Sequence, residues 1–444
     1  MTTEDTVSDD ELGFPKPLFR ALGKLPAVGP FRPNTWRSPI RGPWLTSVFA
    51  IVLLVGLPIV TITGLLSYIA YGPQFHQAIP GNVGWLHLPY FDWPTRPVWL
   101  YRFTQGLHVA LGLALIPVVL AKLWSVIPKL FAWPPSKTLA QLVERLSLAL
   151  LVGSILFELA TGLLNTQYDY IFGFSFYTAH YYGAWVFIAA FLTHVAIKFP
   201  AMRRGIRARS LRRELRTGLA ATTPDAYEPG GLAPMAPAKA TMSRRGALGL
   251  VAGSSLAITV FSLGATMSNK LRFTALLSSR GQSYGGGPGH FQVNRSASGA
   301  QIKAAETGES WRLTLVGNGG EAVTLSRTEL LSMPQHQANL PIACVEGWST
   351  EQHWQGVRLR ELAALVGVAK PSSAFVESLE KQGAFRSVTL NTEACRDPDA
   401  MLALKVAGAD LIPDHGYPAR VIVPALPGVH NTKWVSSITF HGAV

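Results

Sequence analysis

Cysteine is nearly absent: Cys344 and Cys395 are the two in 444 residues. Two thiols cannot staple a disulfide-rich scaffold, fill a zinc ribbon or ligate an iron–sulfur cluster, so each has to be read alone. Charge is scarce too, 15% against 48% hydrophobic residues, which is too apolar for an ordinary soluble enzyme. Acidic residues are the scarcer sign, 26 against 39 Lys and Arg, for a formal net charge of +13. Such an excess can serve nucleic acid, a membrane surface, or a membrane protein whose cations are sorted to one side. Position separates these. Residues 1–269 hold 23 cations and 12 acids, whereas residues 270–444 hold 16 and 14, so nearly all of the excess belongs to the first part.

What the first part does have is long apolar runs. Five of them, at 44–70, 99–121, 146–165, 177–198 and 246–267, approach the ~20 residues that a helix needs to cross a bilayer. Four are dense in Leu, Ile, Val and Phe; the fifth, GALGLVAGSSLAITVFSLGAT, is rich in Gly, Ala and Ser, and a buried soluble helix is its competing reading. Six cations precede the first run (Lys16, Arg20, Lys24, Arg32, Arg37, Arg41), four lie at 122–145 and eleven between Lys198 and Arg245, while the remaining two connections hold only Arg96 and Arg102. This 21 against 2 split predicts a cytoplasmic N-terminus and four crossings. The seven arginines from Arg203 to Arg216 then read as a retention signal on the cytoplasmic side, and no nucleic-acid partner is expected.

Residues 217–242 form a Pro, Ala and Gly linker that cannot make a core. Ser243-Arg244-Arg245-Gly246-Ala247-Leu248 follows, ahead of the weakly apolar fifth run. This resembles a twin-arginine export signal displaced into mid-chain. The resemblance implies the twin-arginine translocase as a partner and a following domain that crosses already folded. No small-x-small cleavage site is evident, so the fifth helix is expected to stay as an anchor. Beyond a second tether, about 155 residues read as short β runs (311–317, 339–345, 387–391, 401–408, 419–426 and 433–440) with helical patterns chiefly at RTELLSM and VRLRELAALVG. The expected architecture is an all-α transmembrane bundle of four helices plus a fifth anchor helix, followed by a mostly β (α+β) domain. Its segments are a cytoplasmic tail (1–43), the four-helix part (44–200), a basic linker (201–245), the fifth helix (246–268), a tether (269–290) and the last domain (291–444).

Histidines inside apolar helices are functional candidates, because an imidazole is costly in a bilayer. His108 lies in the second run, His180 and His194 in the fourth. A spacing of 14 is nearly four turns and about 21 Å of rise, so both rings leave one helix face at different depths. That suits haem better than zinc, whose carboxylate partners are lacking nearby. With this topology, the pattern resembles the b-type cytochrome subunits of membrane formate dehydrogenases and nickel–iron hydrogenases. There a fourth-helix His pair ligates two haems, and the resemblance implies that His108 pairs with His180. The family's remaining ligand comes from the first helix, where this chain has no histidine before His76, so His194 has no evident partner. It could hold a second haem with a non-histidine or open position, pair with His108 around a single haem, or be hydrogen-bonded in the bundle. His76 and His87 read as surface residues. Glu158, in the third run, suits either quinone protonation or a hydrogen bond to a neighbouring helix.

In the last domain, Cys344 ends an apolar strand and enters a Gly-containing loop. A lone cysteine is usually inert packing, yet a soft thiolate is also a fitting single protein ligand for molybdenum or tungsten. The motifs Cys344-Val345-Glu346-Gly347-Trp348-Ser349 with Trp354-Gln355-Gly356-Val357, His415-Gly416-Tyr417-Pro418-Ala419-Arg420, and Gly428-Val429-His430-Asn431-Thr432-Lys433-Trp434 resemble the molybdopterin-binding domain of the sulfite oxidase superfamily. The branch with the methionine-sulfoxide reductase catalytic subunit is the most similar. The resemblance implies that Cys344 ligates molybdenum and that Arg420 contacts the pterin phosphate, which suits a guanidinium fork. It further implies that His415 stands where that branch has an asparagine, that Asn431, Thr432 and Lys433 wrap the phosphate end, and that Asn294 is an early pterin contact. Cys395 has no counterpart. Arg358, Arg386 and Arg396 are candidates for binding an oxyanion substrate.

Together these features read as a membrane oxidoreductase with molybdopterin and one or two b haems, placed in the cell membrane with its last domain outside the cytoplasm. Membrane lipid, quinone or quinol, and a small S-oxide, N-oxide or sulfite-like substrate are its expected partners. The alternative is a non-catalytic membrane sensor or assembly factor with a degenerate binding domain.

Overall fold

The computed structural model describes residues 28–442 apart from 33–34, 73–81, 84–85, 88–89, 133–138, 168–170, 172, 229, 267–268, 279–286, 321 and 384. His76 lies outside the described residues, as does the side chain of His87. Five helices are long and apolar enough to cross a membrane: α1 (Pro43–Tyr71), α2 (Leu100–Leu130), α3 (Leu139–Gln167), α4 (Phe176–Arg207) and α5 (Arg244–Thr266). They fall on the five apolar runs, and the weak fifth run is helical from Arg244. α2 and α4 extend past the apolar runs through Lys129 and Arg207, because polar helix formers continue the backbone ladder where the apolar pattern stops.

The chain clusters into two compact units. One comprises Met1–Val55, Ile116–Glu158 and Gly183–Ser254, the other Gly56–Leu115, Leu159–Tyr182 and Ser255–Val444. In the first, the basic linker has one short helix, Leu211–Arg216, with Ser210 capping the Arg213 N–H. Residues 217–243 add no regular element among those described, as their composition requires, yet both ends of this linker are fastened. Arg244 is fully buried and pairs with Asp225 at 3.2 Å and Glu214 at 3.6 Å. Arg209 meets the same carboxylates at 2.5 and 2.9 Å. Arg244 also donates to the carbonyls of Thr223 (3.0 Å) and Pro39 (3.4 Å). Gly42 makes room for this cluster: a Cβ there would sit 1.8 Å from the Asp225 carboxylate. Arg245 is exposed.

In the second unit, a short ribbon of β1 (Asn82–Val83) and β2 (Leu86–His87) precedes α2. After α5 comes the strand-rich part: β3 (Arg312–Val316), β4 (Ala322–Ser326), β5 (His336–Ala343), β6 (Ser349–Arg358), β7 (Pro371–Ser378), β8 (Ser387–Leu390), β9 (Met401–Val406), β10 (Ala409–Asp410), β11 (Arg420–Ile422) and β12 (Val435–Gly442). One sheet runs β10-β9-β6-β5 with β11 also paired to β9; the other runs β4-β3-β12-β7-β8. β12 pairs parallel with β3 and antiparallel with β7. β9 is the apolar run Met401-Leu402-Ala403-Leu404 because it lies inside its sheet with both faces covered. Four strands of this part are missing from the sequence reading: β4, β6, β7 and the two-residue β10. In β6 the run Ser-Thr-Glu-Gln-His carries no apolar signal, and its strand state comes from an eight-residue ladder with β5. The helices over RTELLSM and VRLRELAALVG form as Arg327–Ser332, with a Ser326/Glu329 capping box, and Leu359–Leu365.

Removing one partner of a buried ion cluster leaves uncompensated charge behind. Arg244→Ala is therefore expected to destabilise the helical region by ~3 kcal/mol, and Arg245→Ala by no more than ~0.5 kcal/mol. Thermal unfolding of the detergent-solubilised protein measures both, and equal effects would deny the ion cluster its role.

Candidate active site

Cys344 follows the last residue of β5 and is buried in the core with Leu340, Ile342, Trp348 and Trp354. The turn that carries it is closed from both sides: the Cys344 N–H donates to the Trp348 carbonyl (2.9 Å) and the Gly347 N–H to the Cys344 carbonyl (3.0 Å). Gly347 adopts φ +90°, a conformation that glycine enters without strain. Glu346 is half-buried in the same turn and its carboxyl is pushed up to about 8 by desolvation, while the Trp348 indole donates to it at 2.6 Å. Cys395 is different. It is buried in the Thr392–Arg396 helix, its Sγ donates to the Leu390 carbonyl at 3.7 Å, and burial pushes the thiol up to about 12. Such a thiol is inert packing.

A second cluster gathers residues from three distant segments. Arg420, on β11, is buried; it donates to the carbonyls of His415 (3.2 Å) and Asn431 (3.1 Å), and its guanidinium lies over the Trp354 ring at 5.5 Å. His415 stacks on Phe291 at 3.6 Å and donates from Nε2 to the Gly289 carbonyl at 2.8 Å. The Asn431 side chain accepts from the Val423 N–H (2.8 Å), folding the loop after β11 back onto that strand. Lys433 donates to the carbonyls of Asp414 (3.0 Å) and Arg295. Gly416 (φ +105°) lets the segments cross, since a Cβ there would lie 3.0 to 3.1 Å from Lys433 and Arg420. His415, Arg420, Asn431, Thr432 and Lys433 thus come together. Asn294 is exposed at the rim, its side-chain oxygen accepting from the Arg295 N–H at 2.9 Å.

This cluster is short of negative charge. Burial holds Arg420 down at about 9, Lys433 at about 7, His430 at about 4 and His415 at about 3, with repulsion from Arg420 adding to the last and to Lys433. Arg420 Nε, Asn431 Nδ2 and Thr432 Oγ1 are buried without a hydrogen-bond partner among the described residues. Orphaned donors cost roughly 1–3 kcal/mol each, and an anion with several acceptor oxygens would satisfy them. The residues therefore fit a phosphate-bearing cofactor.

The helical part of the same unit sets His108 beside His180, with ring centroids 6.2 Å apart and planes nearly perpendicular. His108 Nδ1 donates to the Val60 carbonyl at 2.9 Å, leaving Nε2 as the lone-pair nitrogen; His180 Nδ1 lies 3.0 Å from the Thr161 hydroxyl. Gly64 and Gly162 face the two rings, where a Cβ would come within 2.9 and 3.4 Å of their Cε1 atoms. His194 is half-buried and belongs to the other unit, as does Glu158, which lies against Gly183 of α4.

The three candidate arginines for an oxyanion are engaged elsewhere. Arg358 pairs with Glu361 (3.1 Å) and the Pro398 carbonyl, Arg396 donates to the Pro371 carbonyl (2.8 Å), and Arg386 to that of Lys381 (3.4 Å). What sequence reasoning missed comes from the segment 93–109. Trp93 donates to the Ala425 carbonyl (2.9 Å), Arg96 forms a fork with Asp397 (2.9 and 3.0 Å), and Gln105 donates to the Val345 carbonyl, one residue past Cys344. The one available signal was the spacing of Tyr101, Gln105 and Val109, which repeats every fourth residue.

Residues 300–443 match the family model described as "Oxidoreductase molybdopterin binding domain". The chain is 30% identical over 131 residues to the uncharacterized oxidoreductase YuiH of Bacillus subtilis (strain 168), covering 29% of this chain and 65% of that one. It is 28% identical over 158 residues to the mitochondrial sulfite oxidase of Rattus norvegicus, covering 30% of this chain and 29% of that one. Among solved structures, the sulfane dehydrogenase SoxCD of Paracoccus pantotrophus matches with a TM-score of 0.28 and 23% identity, over 30% of this chain and 39% of that one. The match thus spans less than two thirds of each relative's length. The strand-rich part is a molybdopterin-binding oxidoreductase domain of the type that sulfite oxidases carry, as the cysteine and arginine motifs led one to expect.

Between about 7, where the fold holds Lys433, and its ordinary 10.5, the unfolded chain binds the extra proton, so stability of the cofactor-free protein rises with pH across that window. Lys433→Met is expected to remove this part of the rise. Thermal unfolding across the same window compares the two proteins, and an unchanged slope in the variant would remove Lys433 from the buried cluster.

Proposed function

We propose that the chain is a membrane-bound molybdenum oxidoreductase in which a quinol-driven helical part serves an extracytoplasmic molybdopterin site that reduces a small S-oxide or N-oxide. The observation that carries this reading is the pairing, in one compact unit, of a buried Cys344 and anion-seeking cluster with the His108–His180 pair. Cys344 would supply the thiolate, and Arg420, His415, Asn431, Thr432 and Lys433 would hold the pterin, with Asn294 at its rim. When bound, the cofactor supplies two-electron oxo transfer. The chain's own contribution is to fix the thiolate turn, closed by its backbone bonds between Cys344, Gly347 and Trp348, with the Glu346 carboxyl held by the Trp348 indole.

His108 and His180 would hold a b haem, which supplies single-electron transfer. Two imidazoles across a shared metal, with bonds of roughly 2 Å, have ring centres roughly 6 Å apart, and the observed 6.2 Å supports this assignment. The Val60 carbonyl and the Thr161 hydroxyl would orient the two rings. His194 marks a second haem on the same helix face. Membrane placement is supported by the outward apolar side chains of the helices, with Val55, Leu192, Leu250 and Leu256 each 60–65% exposed. The cation asymmetry supports a cytoplasmic N-terminus, and export through the twin-arginine translocase follows from Arg244 and Arg245. Because the fold buries Arg244, recognition of that motif would precede closure of its ion cluster.

Purified full-length protein from a cofactor-competent host is expected to contain molybdenum, pterin and b haem; protein without molybdenum would end the enzyme reading and leave a binding module. Cys344→Ala should abolish turnover of S-oxides with reduced quinol and preserve the reduced haem spectrum. His108→Ala should do the converse to the spectrum while sparing molybdenum. Retained activity in the first variant would take Cys344 off the metal.

A further inference from the structure

The turn that carries Cys344 is seated on the first turns of α2. Gln105, 3% exposed, donates its amide N–H to the Val345 carbonyl. One turn on, Val109 meets Gly347 so closely that a Cβ on the glycine would lie 2.7 Å from it. One turn back stands Tyr101, 1% exposed, with its hydroxyl 3.4 Å from Ser67 Oγ. The flanks are tied down as well: Arg102 pairs with Glu351 (3.2 Å) on β6, Ser349 donates to the Thr266 carbonyl (2.5 Å) at the end of α5, and Trp93 packs edge-on against Tyr101 while bonding Ala425. Positions 101, 105 and 109 share one helix face. That face is covered by the Cys344 turn.

We propose that the start of α2 forms one wall of the Cys344 site, with Gln105 as the positioning residue for the thiolate turn and Tyr101 presenting its hydroxyl to whatever ligand Cys344 and its cofactor hold. The active site is then shared between the helical part and the molybdopterin domain. The role of Tyr101 rests on the molybdenum reading; that of Gln105 stands without it. A buried phenol is a neutral donor suited to the oxygen of an S-oxide or N-oxide, molecules that accept hydrogen bonds strongly without a net charge. This matches the engagement of Arg358, Arg386 and Arg396 elsewhere, and it selects polar neutral oxides over oxyanions.

Variants at Gln105 and Tyr101 of the full-length protein test this. In protein from a host unable to make molybdopterin, Gln105→Met is expected to speed N-ethylmaleimide labelling of Cys344 about fivefold, the weight of one hydrogen bond. Cys395 serves as the internal reference in mass spectrometry and should not change. An unchanged Cys344 rate, with Cys395 also steady, overturns the positioning role. If Cys395 accelerates too, the variant has loosened the whole domain, and Gln105→Leu must then show the selective effect or the role is lost. In metal-loaded protein, Tyr101→Phe should keep molybdenum content and the haem spectrum. It should alter the Mo(V) electron paramagnetic resonance signal and raise KM for dimethyl sulfoxide more than it lowers kcat, with sulfite turnover, if any, unaffected. Normal molybdenum with an unaltered signal and unaltered KM overturns the role of Tyr101, whereas absent molybdenum refutes the proposed function and leaves the labelling result standing.

Discussion

The contact between the Cys344 turn and α2 is the constraint on which the second unit depends. A turn that presents a buried thiol cannot also face water, and its carbonyls need donors. The Val345 carbonyl finds its donor in Gln105, and Gly347 permits the approach because it has no Cβ to collide with Val109. Once the turn is seated, β6 begins at Ser349 against the end of α5 and runs into the ladder with β5. The loop after β11 is drawn in by Trp93 at Ala425, which places Asn431, Thr432 and Lys433 beside Arg420. The helical and strand-rich parts of this unit are therefore one packing problem.

The same unit gathers basic groups with little counter-charge among the described residues, Asp414 and Glu380 near Lys433 being the exceptions. Arg420, Lys433, His415 and His430 are all held below their ordinary protonation by burial. A fold can carry such a cluster when a ligand brings the missing charge, and the unpartnered donors of Arg420, Asn431 and Thr432 point the same way. In the other unit the opposite solution applies. Arg209 and Arg244 are matched in charge by Glu214 and Asp225. One cation cluster is balanced by carboxylates, the other is suited to binding an anion.

Much of this was legible in advance where a single chemical signal dominates. The five helices follow from apolar runs of sufficient length, and the molybdopterin domain from three ordered motifs. β9 and β11 were visible because a strand buried on both faces is apolar along most of its length. β6 was not, because its strand state is imposed by neighbours on a polar run. Arg358, Arg386 and Arg396 looked available for substrate only because a sequence does not show which carbonyls a guanidinium has already met.

The amino-acid sequence by itself determined which segments can be helices in an apolar phase, where the cations stand, and which residue types are present for a thiolate, an anion pocket and imidazole ligands. Those are properties of composition and spacing, and they hold in any conformation. Only the tertiary structure decided that His108 meets His180, that Arg244 is consumed in an ion cluster, and that Gln105 and Val109 stand at the Cys344 turn. Each of these joins residues at least 19 positions apart in the chain, with Gln105 and Val345 separated by 240. Packing alone brings such groups together, because only the burial of whole faces outweighs the entropy of closing loops of that length.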